Sequence, residues 1–228
     1  KPYVINGEAD VTTVNIKAAA INGDCIIIPA DYSSWNGSAF DEYFLLELFA
    51  PYGNNKKDWR KNLSNLGSKP GIRLYHVDAR MYGGNSYEYY SDSQGRSQAK
   101  LKVDDLEDQL IKSKEDISRW NIKSFGANNS SNWTDGNEGI VQLENNPLLT
   151  LVQKGKHFTF ASINGRHTLS SGDLFKLGDT FSFEDYSIFL NKEAEAQELT
   201  NKGEDFPYTF TIDYIDEDDA TITFNKVK

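Results

Sequence analysis

The stretch DEYFLLELFAPYGNNKKDWRKNLSNLGSKPGIRLYHVDARMYGG, Asp41 to Gly84, decides how this chain is read. It holds two apolar runs, Tyr43–Phe49 and Ile72–Val77, separated by a long polar connection. Pro70-Gly71 and Gly83-Gly84 bracket the second run, so both runs have the length and turn punctuation of β-strands. Side chains of a strand alternate between its faces. Tyr43, Leu45, Glu47 and Phe49 therefore share one face, which sets a carboxylate among three large apolar side chains. In the second run Ile72, Leu74, His76 and Asp78 line one face, and Arg73, Tyr75, Val77 and Ala79 the other. A carboxylate in apolar surroundings needs a partner. With the two strands as neighbours, Glu47 is expected to meet Arg73 or His76. Glu47, Arg73, His76 and Asp78 are then the candidate buried polar group, at or near a domain junction. Two readings attach to it: a satisfied structural pair inside a sheet, or acid-base or metal chemistry at His76 and Asp78. One histidine and one aspartate supply too few ligands for a zinc site.

The pairing of EYFLLE (Glu42 to Glu47) with a downstream PGIRLYHVDAR (Pro70 to Arg80) resembles the segment that follows the catalytic domain in secreted zinc metallopeptidases of the immune inhibitor A family. DLFKLGDTFSF (Asp173 to Phe183) and PYTFTIDYIDEDDATITF (Pro207 to Phe224) are similar to the terminal β-strands of that architecture. The H-E-x-x-H zinc signature of the family occurs nowhere in these 228 residues. The resemblance thus implies a non-catalytic accessory β region that supports the catalytic domain or shapes substrate access. It implies no cofactor in this chain, with zinc expected only in the catalytic domain, which these residues do not contain. It further implies a bacterial protein at an extracellular or cell-surface location, with the catalytic domain of the same polypeptide as partner and a protein or glycan as substrate. Lys1-Pro2-Tyr3 opens into a strand-like segment without an initiator methionine, as though cut from a longer polypeptide.

Composition narrows the alternatives. With 24 Lys and Arg against 34 Asp and Glu, the formal charge of −10 repels a nucleic-acid backbone, so nucleic acid is not an expected partner. Aromatic residues make up 13% of the chain, with 13 Phe and 12 Tyr but a single Met, which favours strands over a helix bundle. The expected class is all-β, β-sandwich-like and mostly antiparallel, with one or two short helices. No apolar run approaches the ~20 residues of a membrane span. Cys25, alone in the run Cys25-Ile26-Ile27-Ile28-Pro29, reads as a small apolar filler. No dinucleotide, Walker or serine-elbow motif is present.

Taken in order, Tyr3–Asn6, Val11–Ala19 and the β-branched run Cys25–Pro29 read as strands, with Val14 and Ile16 pointing inward. Leu106, Leu110, Ile111, Ile117 and Trp120 recur at near-helical spacing behind an acidic first turn, which predicts a helix over 104–120. From Pro147 onward, short extended runs broken by glycines predict strands at 148–152, 157–163, 167–169, 174–175, 180–183 and 186–190. His157 and His167 flank the turn at Asn164-Gly165. The chain closes on a hairpin with Tyr208, Phe210, Ile212 and Tyr214 inward on one strand and Ala220, Ile222 and Phe224 on the other. Residues 1–135 read as a β-rich lobe and 136–228 as a sandwich-like lobe, either separate or continuous as one domain. Trp35, Trp59 and Trp133 lie in polar loops and motivate the alternative function, a carbohydrate-binding module of a surface protein, with these indoles as ligand contacts.

Overall fold

Tyr43–Phe49 and Ile72–Val77 both lie in strands, and they pair along their whole length. The computed structural model of the chain describes residues 2–35, 37–57, 69–79, 81–83, 87–91, 97–101, 120–122, 149–156, 161–163, 166–168, 172–190 and 199–227. Its strands, in chain order, begin with β1 (Pro2–Val4), β2 (Val11–Lys17), β3 (Cys25–Pro29), β4 (Glu42–Phe49) and β5 (Gly71–Asp78). They continue with β6 (Met81–Gly83), β7 (Tyr87–Ser91), β8 (Ser97–Leu101), β9 (Trp120–Ile122) and β10 (Leu149–Leu151). The last are β11 (Ala161–Ile163), β12 (Arg166–Thr168), β13 (Thr180–Phe181), β14 (Tyr208–Ile215) and β15 (Asp219–Lys226). Single α-helical turns, α1 (Ala19–Asn22) and α2 (Phe183–Tyr186), interrupt them.

The class is all-β. One sheet has the order β1-β3-β4-β5-β10 and the other β13-β14-β15-β2, and of these neighbours only β1 and β3 run parallel. β6–β9, β7–β8 and β11–β12 form separate two-stranded ribbons. The two larger sheets share one core. Ile26, Ile28, Phe44, Leu46, Leu48, Ile72 and Leu74 of the first cluster with Val14, Ile16, Tyr208, Phe210, Ile212, Ile222 and Phe224 of the second, giving a sandwich-like arrangement. Each sheet draws strands from both sides of residue 135, so a boundary there would cut through both. The helix expected over 104–120 lies outside the described residues, except that Trp120 opens strand β9.

Two local expectations need correction. Tyr186–Leu190 is not a strand: α2 runs into a 3₁₀ turn at Ser187–Phe189. Phe183, Tyr186 and Phe189 recur every third residue, and a tight helical turn puts all of them into the core, where each is buried. Tyr214 is 47% exposed instead of facing inward. The cause is a bulge: Ile212 pairs with Ile222 but Tyr214 with Thr221, so Asp213 is an extra residue that reverses the parity of everything after it.

Gly71, at the start of β5, shows how tightly the sheet end is packed. Ile72 and Phe175 exchange backbone hydrogen bonds of 2.9 and 3.0 Å, which brings Leu174 and Lys176 against the glycine. A Cβ at position 71 would sit 2.6 Å from Leu174 Cβ and 2.8 Å from Lys176 Nζ. That amine donates to the carbonyls of Pro70 and Lys69 at 2.9 and 3.2 Å, and burial pushes its pKa down to about 8. Gly71→Ala is expected to destabilise by about 1–3 kcal/mol through overpacking. Thermal unfolding checks this, with a fall in Tm of about 2–4 °C per kcal/mol for a chain of this size.

Candidate functional site

The inner faces of β4 and β5 are apolar for most of their length and turn polar at one end. The register opposes Leu48 to Ile72, Leu46 to Leu74, Phe44 to His76 and Glu42 to Asp78. Continuing the alternation of Leu48, Leu46 and Phe44 by one more step therefore delivers the carboxylate of Glu42 to the core side. Glu42 and Asp78 are 0% exposed and His76 1%. Burial on that scale demands that each polar atom find a partner within the protein.

The partners come from the next strand and from a distant turn. His76 Nε2 lies 2.9 Å from Glu42 Oε1, and a carboxylate acceptor there requires the proton on Nε2. The same Oε1 accepts the backbone N–H of Asn201 at 2.8 Å, while the Asn201 side-chain amide donates to Asp78 Oδ2 at 3.0 Å. Asp41 Oδ1 accepts the Glu42 N–H at 2.8 Å and the Lys202 ammonium at 3.0 Å. The turn that presents Asn201 and Lys202 is closed by Gly203 N–H to Thr200 O at 2.8 Å and by Thr200 N–H to Glu204 O at 2.9 Å. Gly203 takes φ 82°, a left-handed conformation suited to glycine. Phe44 lies beneath His76, ring centroids 4.9 Å apart. Thr150, buried, is opposite His76 on β10.

The group expected from the sequence is thus divided between two faces. Glu47 and Arg73 are directly opposite each other and form an ion pair of 2.5 Å, but on the outer side of the sheet, with about a fifth of each side chain exposed (19% and 21%). Arg73 also lies over the Phe49 ring, 4.1 Å from its centroid. His76 and Asp78 point to the opposite, inner side. Glu47 therefore does not join them, because residues 42 and 47 have opposite parity along the same strand. Asp41, Glu42, Asn201 and Lys202 were not among the candidates from the sequence. Glu42 shares its parity with Phe44, Leu46 and Leu48, a pattern no stronger in the sequence than that of Glu47 with Tyr43, Leu45 and Phe49; the turn residues carried no signal.

The remaining candidates are dispersed. Trp35 is half-buried and packs edge-on against Tyr43, centroids 5.8 Å apart, while Trp59 and Trp133 lie outside the described residues. His157 also lies outside them, and the backbone of His167 pairs with Ser162 in the β11–β12 ribbon. Burial pushes the Cys25 thiol pKa up, which lowers its thiolate fraction and its reactivity. A second buried polar contact, Gln153 Nε2 to Asp173 Oδ1 at 2.6 Å, ties the segment after β10 to the one before Phe175. Among the described residues no group of three or more His, Cys, Asp and Glu side chains is placed to hold a metal ion. Glu42, His76 and Asp78 fit one poorly, since His76 Nε2 is engaged directly by the carboxylate instead of sharing an ion with it. No helix among the described residues is long and apolar enough to cross a membrane.

A glutamate bonded to a histidine is the raw material of an acid-base pair. Here, however, neither side chain reaches solvent, and each is engaged with its neighbours in the fold. The arrangement acts as a clamp: it fixes the end of the β4–β5 pair to the 200–204 turn through hydrogen bonds that cross most of the sequence. No protein-family model matches the chain, and no curated protein or solved structure matches it significantly.

Proposed function

We propose that this chain is a non-catalytic accessory β region of a secreted or surface zinc metallopeptidase resembling the immune inhibitor A family. In this reading it supports the catalytic domain of the same polypeptide or shapes the approach of substrate. The observation that carries the reading is the burial of Glu42, His76 and Asp78, the side chains best suited to chemistry in the stretch that bears the resemblance. General acid-base catalysis needs a group within hydrogen-bond reach of the reacting atom. Glu42 instead holds His76 and Asn201, and Asp78 holds Asn201. Their role is to keep the β4–β5 end and the 200–204 turn in one fixed surface on which another domain can rest.

The purified chain, incubated with zinc and unfolded protein or peptide substrates, is expected to show no cleavage above buffer. Zinc-dependent cleavage that chelation removes would overturn the reading. In the longer peptidase polypeptide, Glu42→Gln is expected to lower Tm while leaving kcat/KM of the folded enzyme within about twofold. A large loss of kcat at unchanged folding would place the group in the chemistry instead.

A further inference from the structure

The chain has a single cysteine, Cys25, so no disulfide can tie its two sheets together. The contact between Asp41 and Lys202 stands where such a tie would act. Asp41 immediately precedes β4 of the first sheet, Lys202 lies in the turn before β14 of the second, and the two are 161 positions apart. Lys202 Nζ donates to Asp41 Oδ1 at 3.0 Å, with 14% and 8% of the two side chains exposed. Taking an ammonium and a carboxylate out of water is costly even when they pair. A neutral product formed from the two would remove both charges from that place.

Both groups are held in place by contacts other than their own. Asp41 Oδ1 also accepts the Glu42 N–H at 2.8 Å, and the Asp41 carbonyl accepts the Ala79 N–H at 3.0 Å, which pins the residue beside the end of β5. The turn that carries Lys202 is docked by the bonds of Asn201 to Glu42 and Asp78, at 2.8 and 3.0 Å. Lys202 Nζ has a second acceptor in Ser34 Oγ, and the Ser34 hydroxyl in turn bonds to the Asp31 carboxylate. An amine, a carboxyl group and a hydroxyl able to relay a proton are thus assembled at one point of the fold. Groups fixed in reactive contact behave as though present at about 10⁵–10⁸ M, far above the concentration of water, so condensation can outrun hydrolysis.

We propose that Asp41 and Lys202 condense into an intramolecular amide, a covalent staple across the sandwich that the folded chain forms by itself. Two protons leave the nitrogen and both end on Oδ2. The first passes from the ammonium to the carboxylate, which leaves a neutral amine beside a carboxylic acid. Nζ then attacks Cγ: the C–N bond forms and the carbonyl electron pair moves onto Oδ1. The Glu42 N–H, already directed at that oxygen, stabilises the charge as it develops. Ser34 Oγ takes the second proton from nitrogen and gives one to Oδ2, the carbonyl re-forms, and Oδ2 departs as water. One ammonium and one carboxylate become one amide and one water, with no oxidant, cofactor or second substrate. The step depends on the clamp around Glu42 and Asn201 and is independent of any peptidase in the longer polypeptide.

Intact-mass spectrometry of the purified chain, followed by tryptic mapping, tests the proposal. The chain is expected to be lighter than its sequence by one water and to yield a branched peptide in which Lys202, joined to Asp41, resists trypsin. On denaturing electrophoresis it is expected to run ahead of an unlinked chain, because the loop between the two residues stays closed. Lys202→Arg keeps the ion pair and is expected to restore the full mass and lower Tm. Asp41→Asn releases ammonia in place of water and is expected to give the same branched peptide, so the test does not depend on how well the arginine variant folds. Ser34→Ala is expected to slow formation of the bond by about 10²-fold or more. Full sequence mass in the native chain, both fresh and after prolonged incubation, overturns the proposal. So does a loss of water that maps to any other position.

Discussion

Glu42→Ala is expected to lower the unfolding free energy by about 3–5 kcal/mol, the cost of breaking a buried polar pair by removing one partner. Glu47→Ala, on the same strand, is expected to cost no more than about 1 kcal/mol. The contrast follows from their surroundings. Without Glu42, the Nε2 proton of His76 and the backbone N–H of Asn201 lose their shared acceptor inside the protein. Each orphaned donor costs about 1–3 kcal/mol, and the vacated volume adds to that. The 200–204 turn also loses one of the contacts that dock it on β4. Glu47 pairs with Arg73 where solvent reaches both, and Arg73 keeps its contact with Phe49 when the glutamate is gone. Urea unfolding of the two variants measures the difference. Glu42→Gln, which keeps the shape and one acceptor oxygen, is expected to fall between alanine and the native residue. Equal costs at positions 42 and 47 would mean that the inner polar group contributes nothing beyond a surface ion pair.

The exchange of Glu47 for Glu42 shows where the sequence stops being informative. β4 is flanked on both sides within its sheet and has large apolar side chains in both parities: Phe44, Leu46 and Leu48 in one, Tyr43, Leu45 and Phe49 in the other. Periodicity identifies such a strand but does not say which parity meets the opposing sheet. That depends on β14, β15 and β2, which supply the other half of the core from both ends of the chain. The strands themselves were legible because Pro70-Gly71, the glycines after Ile163 and the acidic turn before Asp219 punctuate them. The outward flip of Tyr214 was not, since a bulge at Asp213 is a choice between nearly equivalent pairings made by the whole hairpin. Asn201 was invisible for a related reason: its partner Asp78 is 123 residues away, and nothing in the polar segment around it marks a buried contact.

Ending the chain at Asp218 is expected to abolish the folded state altogether. β15 is the inner strand that joins β14 to β2, and over its length it is paired on both sides. Ala220, Ile222 and Phe224 are all 0% exposed, and the ring of Phe224 lies 5.7 Å from that of Phe210 across the hairpin. Burial of Ile222 and Phe224 contributes about 1.5–3 kcal/mol each. Their loss would also uncover Val14, Ile16, Phe210 and Ile212, which belong to the same core. Against a total stability of about 5–15 kcal/mol for an ordinary domain, these losses leave nothing to hold the sheet. Point variants on the same strand separate packing from chain length. Phe224→Ala is expected to cost about 3–5 kcal/mol, whereas Thr223→Ala, on the opposite face and one residue away, costs under about 1 kcal/mol. Tyr214→Ala is expected to behave like Thr223→Ala, because the bulge has turned that ring to solvent. Circular dichroism and chemical unfolding read all four proteins. A chain cut after Asp218 that still unfolds cooperatively would show that the first sheet sustains a fold of its own, with the second sheet only resting on it.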